Sequence, residues 1–80
     1  MLKTVVLKLA DIYVPMKRRK TRDADKVEAI AESIMEDGQR VPIQVRRDGE
    51  RFILVNGYHR LEALDALGED SVQAFIVREG

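Results

Sequence analysis

Apolar and polar residues follow two different periods along this chain, and the changes of period divide it into short segments. Between Asp23 and Gly38 the apolar residues recur every three or four positions, which predicts a helix over residues 25–37 with one buried face. Asp23 or Asp25 supplies the N-cap, and the glycine supplies the C-terminal stop. This helix is the clearest element in the pattern.

Short runs rich in β-branched residues predict four strands around this helix. They cover residues 4–9, 41–47, 51–56 and 71–77. The middle two strands flank Asp48–Gly49, a pair that favours a tight turn, and we expect them to pair as an antiparallel hairpin. Val41, Ile43 and Val45 alternate with polar positions, so this strand should have one buried face.

A second amphipathic stretch predicts a helix over residues 58–67, with Leu61, Leu64 and Leu67 on its buried side. Residues 14–23 have a proline, several cations and no period, and are predicted to form a loop. The expected order is β-α-β-β-α-β. This order indicates an α+β (α/β) architecture over residues 1–80 as a single domain, with one mixed sheet and helices packed on it.

The composition limits what such a domain can do. Fourteen Lys and Arg residues balance fourteen Asp and Glu residues, so the chain as a whole is not a basic nucleic-acid binder. It contains no cysteine, which excludes disulfides, thiolate metal sites and thiol catalysis. Since no signal peptide and no membrane-spanning segment is evident, we expect a cytoplasmic location and no membrane partner.

The residues that can carry chemistry gather where the third predicted strand meets the second helix. This strand–helix junction reads Asn56, Gly57, Tyr58, His59, Arg60. A helix N-terminus carries unpaired N–H groups and a partial positive charge, and a preceding glycine lets a ligand approach them closely. Arg60 is disfavoured there unless an anion lies beside it, and His59 can add a donor. The alternative is a tight turn with a solvated arginine and a capped histidine.

Lys26 repeats this anomaly in the first turn of the first predicted helix. A basic run precedes that turn and comprises Lys17, Arg18, Arg19, Lys20 and Arg22. Two helix N-termini that both carry cations indicate one shared anion site, for which phosphate is the usual ligand. The basic run itself has two further interpretations, a solvated loop or a weak, non-specific and salt-dependent contact with DNA phosphates.

Three segments, in order and at compatible spacing, resemble the ParB/sulfiredoxin superfamily. They are DADKVEAIAESI at residues 23–34, PIQV at residues 42–45 and GYHRLEA at residues 57–63. The resemblance covers nearly the whole chain and implies the small nucleotide-binding fold of that superfamily. It implies that phosphates lie against Gly57, His59 and Arg60, that Lys26 faces them, and that Ser33 lines the same pocket. With the neighbouring positions, the predicted site is Lys26, Ser33, Asn56, Gly57, Tyr58, His59 and Arg60.

Tyr58 is the main departure from the superfamily pattern. It occupies the position of the catalytic cysteine in sulfiredoxins and of a glutamate in ParB domains. Without cysteine, reduction of a peroxiredoxin sulfinate by thiolate chemistry is excluded, and without the glutamate a copy of the ParB arrangement of metal and CTP is weakened. Tyr58 itself has two interpretations, stacking on a nucleotide base or packing over the sheet edge.

We therefore expect a regulatory module that binds a nucleoside di- or triphosphate, ATP or CTP, with or without Mg²⁺, and that acts on a protein partner. The alternative is a small kinase, NTPase or nuclease, because the sequence also resembles the ADP-dependent serine kinases of this fold. The nearby acids for catalysis are Asp23, Asp25 and Glu62. A scaffold that has lost phosphate binding is a further alternative. A domain this small often forms a homodimer.

Overall fold

The structure is a computed structural model that describes residues 3–38 and 41–78. These residues form five strands and three α-helices. The strands are β1 (Thr4–Lys8), β2 (Ile12–Tyr13), β3 (Ile43–Asp48), β4 (Arg51–Asn56) and β5 (Ser71–Ile76). The helices are α1 (Met16–Arg19), α2 (Ala24–Asp37) and α3 (Tyr58–Ala66), and a 3₁₀ turn at Leu9–Asp11 joins β1 to β2.

All five strands lie in one mixed sheet, in the order β1-β5-β3-β4-β2. β1 pairs antiparallel with β5, and β3 pairs antiparallel with β4. The other two pairs, β3 with β5 and β2 with β4, are parallel. Helix α2 precedes β3, and α3 joins β4 to β5, so the helices supply the crossovers that parallel pairing requires. The predicted fold class, one mixed sheet with packed helices, is confirmed.

The core lies between the centre of the sheet and α3. The largest fully buried side chains among the described residues are Ile43, Val45 and Leu54, and they come from the two strands of the hairpin, β3 and β4. Leu61 and Leu64 of α3 pack against the same cluster, as their spacing predicts. The core therefore fixes the start of α3 relative to the end of β4, which is the strand–helix junction.

Residues 14–23 are not the continuous loop that the sequence predicts. The amides of Arg18 and Arg19 donate to the carbonyl of Pro15, at 2.9 and 3.2 Å, and close a single helical turn. A four-residue helix has no room for an apolar period, so the pattern could not show it. Strand β2 was also missed, because it has only two residues and its partner β4 lies far along the chain.

Several boundaries differ from the prediction by one or two residues, and those of the hairpin and α3 affect the argument. Asp48 pairs with Arg51, so the hairpin turns at residues 49–50 rather than at 48–49. Val41 lies before the start of β3 and is exposed, whereas the predicted alternation placed it on the buried face. Helix α3 ends one residue early, and Leu67 is its half-buried C-cap.

Candidate phosphate site

The conformation of Gly57 shapes the strand–helix junction. Its φ of +104° lies in the left-handed region, which favours glycine. A Cβ atom at this position would lie 2.7 Å from Cγ2 of Ile43, a fully buried residue of β3. The glycine thus has a packing cause that the sequence did not indicate, in addition to leaving the first turn of α3 approachable.

The first turn of α3 is uncapped. Gly57 has no side chain that could accept a hydrogen bond, and among residues 3–38 and 41–78 no side chain accepts from the first amides of this helix. Its carbonyl accepts from the amide of Leu61 at 2.9 Å, which is the first intrahelical bond. The amides of residues 58–60 therefore have no acceptor within the helix, and they leave the positive end of its dipole open.

The first turn of α2 is capped by the side-chain carboxylate of Asp23. Oδ1 of Asp23 accepts from the amides of Asp25 at 3.0 Å and Lys26 at 3.3 Å. Asp23 rather than Asp25 is therefore the N-cap. A negative charge already occupies the position at which an external anion would bind this helix.

His59 joins the two helix starts. Its Nε2 atom lies 3.1 Å from the amide nitrogen of Asp23 and 3.1 Å from the carbonyl oxygen of Thr21. A bare Nε2 accepts from the Asp23 amide, whereas an Nε2–H donates to the Thr21 carbonyl, so one nitrogen serves one partner at a time. The two N-termini therefore lie side by side, as the shared-site prediction requires, but Nε2 is engaged by protein.

The two predicted phosphate-binding cations have no protein partner among the described residues. Arg60 is half-buried and borders a small crevice with Ile34 of α2 and Leu64 of its own helix. Lys26 is exposed in the first turn of α2. The start of α2 already holds the carboxylate of Asp23, whereas the start of α3, where Arg60 lies, has no side-chain cap from its N-cap residue.

Two residues of the predicted site lie apart from this turn or at its margin. Ser33 is seven residues after Lys26 on α2, about 10 Å along the helix axis. Its hydroxyl donates to Oδ2 of Asp37 at 3.4 Å, toward the other end of the helix. Asn56 is the exposed last residue of β4 and lies opposite Gln44 of β3.

The ring of Tyr58 lies in the core. Its side chain is 8% exposed, which agrees with packing rather than with stacking on a base. Burial raises the pKa of the phenol, and a hydrogen bond to Glu62 and the charge of that carboxylate raise it further. The guanidinium groups of Arg22 and Arg19 act in the opposite direction on the same pKa.

All five residues of the basic run are exposed, and two of them contact other protein groups through their side chains. Nε of Arg19 donates to the carbonyl of Val14 at 3.0 Å. Arg22 forms an ion pair with Glu62 at 3.8 Å, which ties the run to α3 and engages one of the candidate catalytic acids. The other three side chains, which we call the basic face, have no such contact among the described residues; they are Lys17, Arg18 and Lys20.

A cleft of about 870 Å³ opens on another side of α3. Of the predicted site and the basic run, only Tyr58 and Arg19 line it. Its lining contains more acids than cations. The acids are Glu62, Asp65, Glu69 and Asp70, and the cations are Lys8 and Arg19. This excess of negative charge disfavours a phosphate, and the sequence pattern had not indicated the cleft because its walls come from distant segments.

Residues 3–38 and 41–78 contain neither a candidate membrane-spanning helix nor a candidate metal-binding cluster. None of the helices there is long and apolar enough to cross a membrane. In the same part of the chain, His, Asp and Glu side chains form no group of three or more that could hold a metal ion.

Comparison with known proteins assigns the family. The family model of the ParB N-terminal domain matches residues 3–79 of the sequence. The chain belongs to this family. A curated relative, the probable chromosome-partitioning protein ParB of Campylobacter jejuni, is 40% identical over 62 residues. The match covers 78% of this chain but 22% of that protein, so the chain spans about a fifth of the relative's length.

Solved structures place this ParB-family chain in the wider ParB/sulfiredoxin superfamily, as its motifs predict. Sulfiredoxin from Arabidopsis thaliana has a TM-score of 0.83 at 33% identity, and the alignment covers 98% of this chain and 86% of that one. C-terminally truncated ParB from Caulobacter crescentus, complexed with CTP-γ-S, has a TM-score of 0.81 at 22% identity, covering 98% and 46%. A free serine kinase in complex with ADP has a TM-score of 0.80 at 21% identity, covering 92% and 30%.

Proposed function

We propose that this ParB-family chain binds a nucleoside di- or triphosphate at the strand–helix junction and acts as a nucleotide-responsive regulatory module. The observation that carries the proposal is the contrast between two adjacent helix N-termini. One is filled by the carboxylate of Asp23, whereas the other is uncapped and has Arg60 beside it, with no ion-pair partner for this arginine in the described part of the chain. An external phosphate would satisfy both the free amides and the arginine.

The charges around the junction favour one position for the phosphates. The Asp23 carboxylate repels an anion from the start of α2, so the phosphates lie on the α3 side. Arg60 supplies a forked, charge-assisted donor, and Lys26 supplies a point charge from the neighbouring helix. Ser33, about two helical turns from Lys26, is placed to meet the nucleoside end of the ligand rather than its phosphates.

Two complexes in the same superfamily support a nucleotide rather than phosphate alone. The Caulobacter protein holds a CTP analogue and the kinase holds ADP. Both fold-level likenesses cover nearly all of this chain, and we propose ATP or CTP as its ligand. Any Mg²⁺ would arrive with the nucleotide, since the described residues contain no cluster of three or more His, Asp and Glu side chains that could hold a metal ion.

The most direct test is isothermal titration calorimetry of the 80-residue chain with ATP, ADP, CTP, GTP and inorganic phosphate, each with and without Mg²⁺. We expect one nucleotide to bind and inorganic phosphate to compete with it, since the phosphate contacts position the ligand. Absence of binding by every nucleotide at millimolar concentration would contradict the proposal. Product analysis in the same samples distinguishes a switch, which leaves the nucleotide intact, from an NTPase or kinase.

The partners follow from the same proposal. A regulatory module needs a protein that responds to the bound nucleotide, and we propose such a partner. The basic face (Lys17, Arg18 and Lys20) allows weak, salt-dependent contact with DNA. A chain without cysteine is compatible with the reducing cytoplasm, where we expect it to act.

A further inference from the structure

The cleft of about 870 Å³ beside α3 has apolar walls that the fold leaves partly uncovered. Leu9 and Val14, which lie just before and just after β2, are half-buried in this lining, and Leu61 of α3 joins them. All three also contact or belong to the hydrophobic core. The cleft is therefore a place where apolar side chains at the margin of the core remain accessible to a ligand.

Three acids in the lining of this cleft are exposed, and we call them the acidic rim: Asp65, Glu69 and Asp70. None of them forms an ion pair with another residue of the described ranges. The fourth acid of the lining, Glu62, is paired with Arg22 at 3.8 Å. Of the two cations in the lining, Arg19 donates to the carbonyl of Val14, and Lys8 is exposed. The charge around the opening is therefore negative, although the chain as a whole has no net charge.

Contacts within the chain hold the lining of the cleft in place. The amide of Leu9 donates to the carbonyl of Asp70 at 2.9 Å, which joins the segment after β1 to the loop before β5. On α3, the hydroxyl of Tyr58 is hydrogen-bonded to Glu62, which in turn pairs with Arg22. Because the cleft is already formed, a ligand does not have to order these segments when it binds.

We propose that this cleft binds a cationic segment of a partner protein. An apolar side chain of that segment enters between the walls, and its flanking Lys or Arg side chains lie against the acidic rim. An apolar anchor in a pocket with charged margins is the usual anatomy of a protein interface. The inference goes beyond the proposed nucleotide function and does not rest on it, because no residue of the strand–helix junction except the buried Tyr58 borders the cleft.

A cationic peptide matches both features of the cleft, whereas other ligands match one or neither. Nucleic acids, nucleotides and acidic peptides are repelled by the acidic rim. A polyamine would neutralise the acids but leave the apolar walls in contact with water. A neutral apolar ligand would cover the walls but gain nothing from the acids. The proposal therefore requires that binding weaken when either the positive charge or the apolar anchor of the peptide is removed.

Selection from a phage-displayed library of random nonapeptides tests the proposal without a known partner. The immobilised 80-residue chain should enrich sequences that combine Lys or Arg with Leu, Ile or Phe. The most enriched peptide, synthesised with a fluorescein label, should bind the chain in fluorescence polarisation at low salt. Binding should weaken as the salt approaches about 1 M, where the Debye length falls to about 3 Å. A selection that enriches no sequence, or only neutral or acidic ones, overturns the proposal.

Two matched double variants identify the acids that the peptide contacts. Asp65→Asn/Glu69→Gln neutralises part of the acidic rim and should lower the affinity about three- to tenfold, as expected for two exposed ion pairs. The control, Glu28→Gln/Glu32→Gln, removes the same charge from exposed positions on α2 that do not line the cleft. It should leave the affinity within about twofold. Equal losses in both variants would mean that the peptide responds to net charge alone, which overturns the proposal.

The apolar part of the contact is tested on the peptide, which leaves the folded chain intact. Replacing the apolar residue of the enriched peptide by Ala should lower its affinity about tenfold, the effect of burying a few methylene groups fewer. In ¹H–¹⁵N correlation spectra, the parent peptide should shift the amide signals of Leu9, Val14 and Leu61 most. Shifts centred on α2, or an Ala peptide that binds equally well, overturn the proposal. The assay contains no nucleotide, so its outcome is separate from that of the calorimetric panel.

Discussion

Helices α2 and α3 begin side by side, and their first turns leave the same groups unpaired. At α2 the chain supplies an acceptor, the carboxylate of Asp23, which binds two amides. At α3 it supplies a glycine, which binds none. The contacts of His59 with residues 21 and 23 hold the two starts together, so both face the same region of the molecule.

The difference teaches which helix start can take a ligand. An N-terminus that carries its own carboxylate is stable without help and has little attraction left for an external anion. An uncapped N-terminus forgoes that stabilisation, and its amides stay available. An anion that interacts with the cations of both helices would therefore bind the uncapped N-terminus of α3.

The largest expected effect comes from adding a side chain at Gly57, the N-cap of α3. Gly57→Ala should destabilise the chain by about 2–5 kcal/mol, the sum of about 1–2 for a left-handed backbone and about 1–3 for overpacking against Ile43. Gly38→Ala is the matched control, since this residue has a φ of +62° but nothing within 4 Å of the added Cβ. It should cost only the backbone part.

Urea unfolding of the two variants measures this difference. If Gly57→Ala and Gly38→Ala shift the free energy of unfolding equally, the close contact with Ile43 does not constrain the junction. A glycine needed only for ligand approach would then be the better explanation.

Much of this arrangement could be predicted from the sequence, because its signals are local. Helix α2 shows several turns of apolar period, the Asp48–Gly49 pair marks the hairpin to within one residue, and Gly57 marks the junction. Both helix starts were expected to share one site, and the His59–Asp23 contact brings them together.

The remainder depends on contacts between distant residues. The sequence left His59 as either a donor to an anion or a capped side chain, and its Nε2 contacts backbone groups 36 and 38 residues earlier in the chain. The packing cause of Gly57 comes from Ile43 on another strand. Elements α1 and β2 are too short for any period, and they form only against the rest of the fold.

The second prediction compares the cations at the two helix starts. Arg60→Ala removes the proposed charge-assisted hydrogen bond to phosphate, worth about 1.5–3 kcal/mol, so phosphate affinity should fall about tenfold to a hundredfold. Lys26→Ala should cost less, because an ammonium acts as a point charge at the already capped start. Calorimetry with the nucleotide identified in the panel measures both losses.

Arg18→Ala is the matched control for these variants, since it removes a cation from the exposed basic face instead. It should leave nucleotide affinity within about twofold, which corresponds to a weak, screened interaction. Neither Arg60→Ala nor Lys26→Ala should destabilise the ligand-free chain, because a cation in the first turn of a helix is mildly unfavourable. If Arg60→Ala lowers stability by several kcal/mol and leaves binding unchanged, Arg60 is structural.

The third prediction concerns the capped N-terminus of α2. Asp23→Ala removes the N-cap of α2 and should cost about 0.5–2 kcal/mol of stability. Asp23→Asn retains an acceptor oxygen and should cost little, but it removes the negative charge beside the proposed phosphates. Affinity for the nucleotide should therefore rise about two- to fivefold in Asp23→Asn, as expected for one screened charge. An unchanged or lower affinity would place the phosphates away from α2.

The smallest expected effect concerns the first residue of α3. Tyr58→Phe removes the hydrogen bond to Glu62 and should cost about 0.5–1.5 kcal/mol at neutral pH, toward the lower value because water also reaches Glu62.

Burial and Glu62 raise the pKa of Tyr58 above its ordinary value of 10.0, so the native state holds the phenolic proton more tightly than the unfolded chain does. This stabilisation is fully present below pH 10.0 and is lost as the pH rises through the raised pKa. Urea unfolding at increasing alkaline pH should therefore show a loss of stability in the wild type that is smaller in Tyr58→Phe. Equal losses in the two proteins would mean that the phenol is not held in the core as the structure places it, and α3 would then begin with a mobile side chain rather than with an anchor.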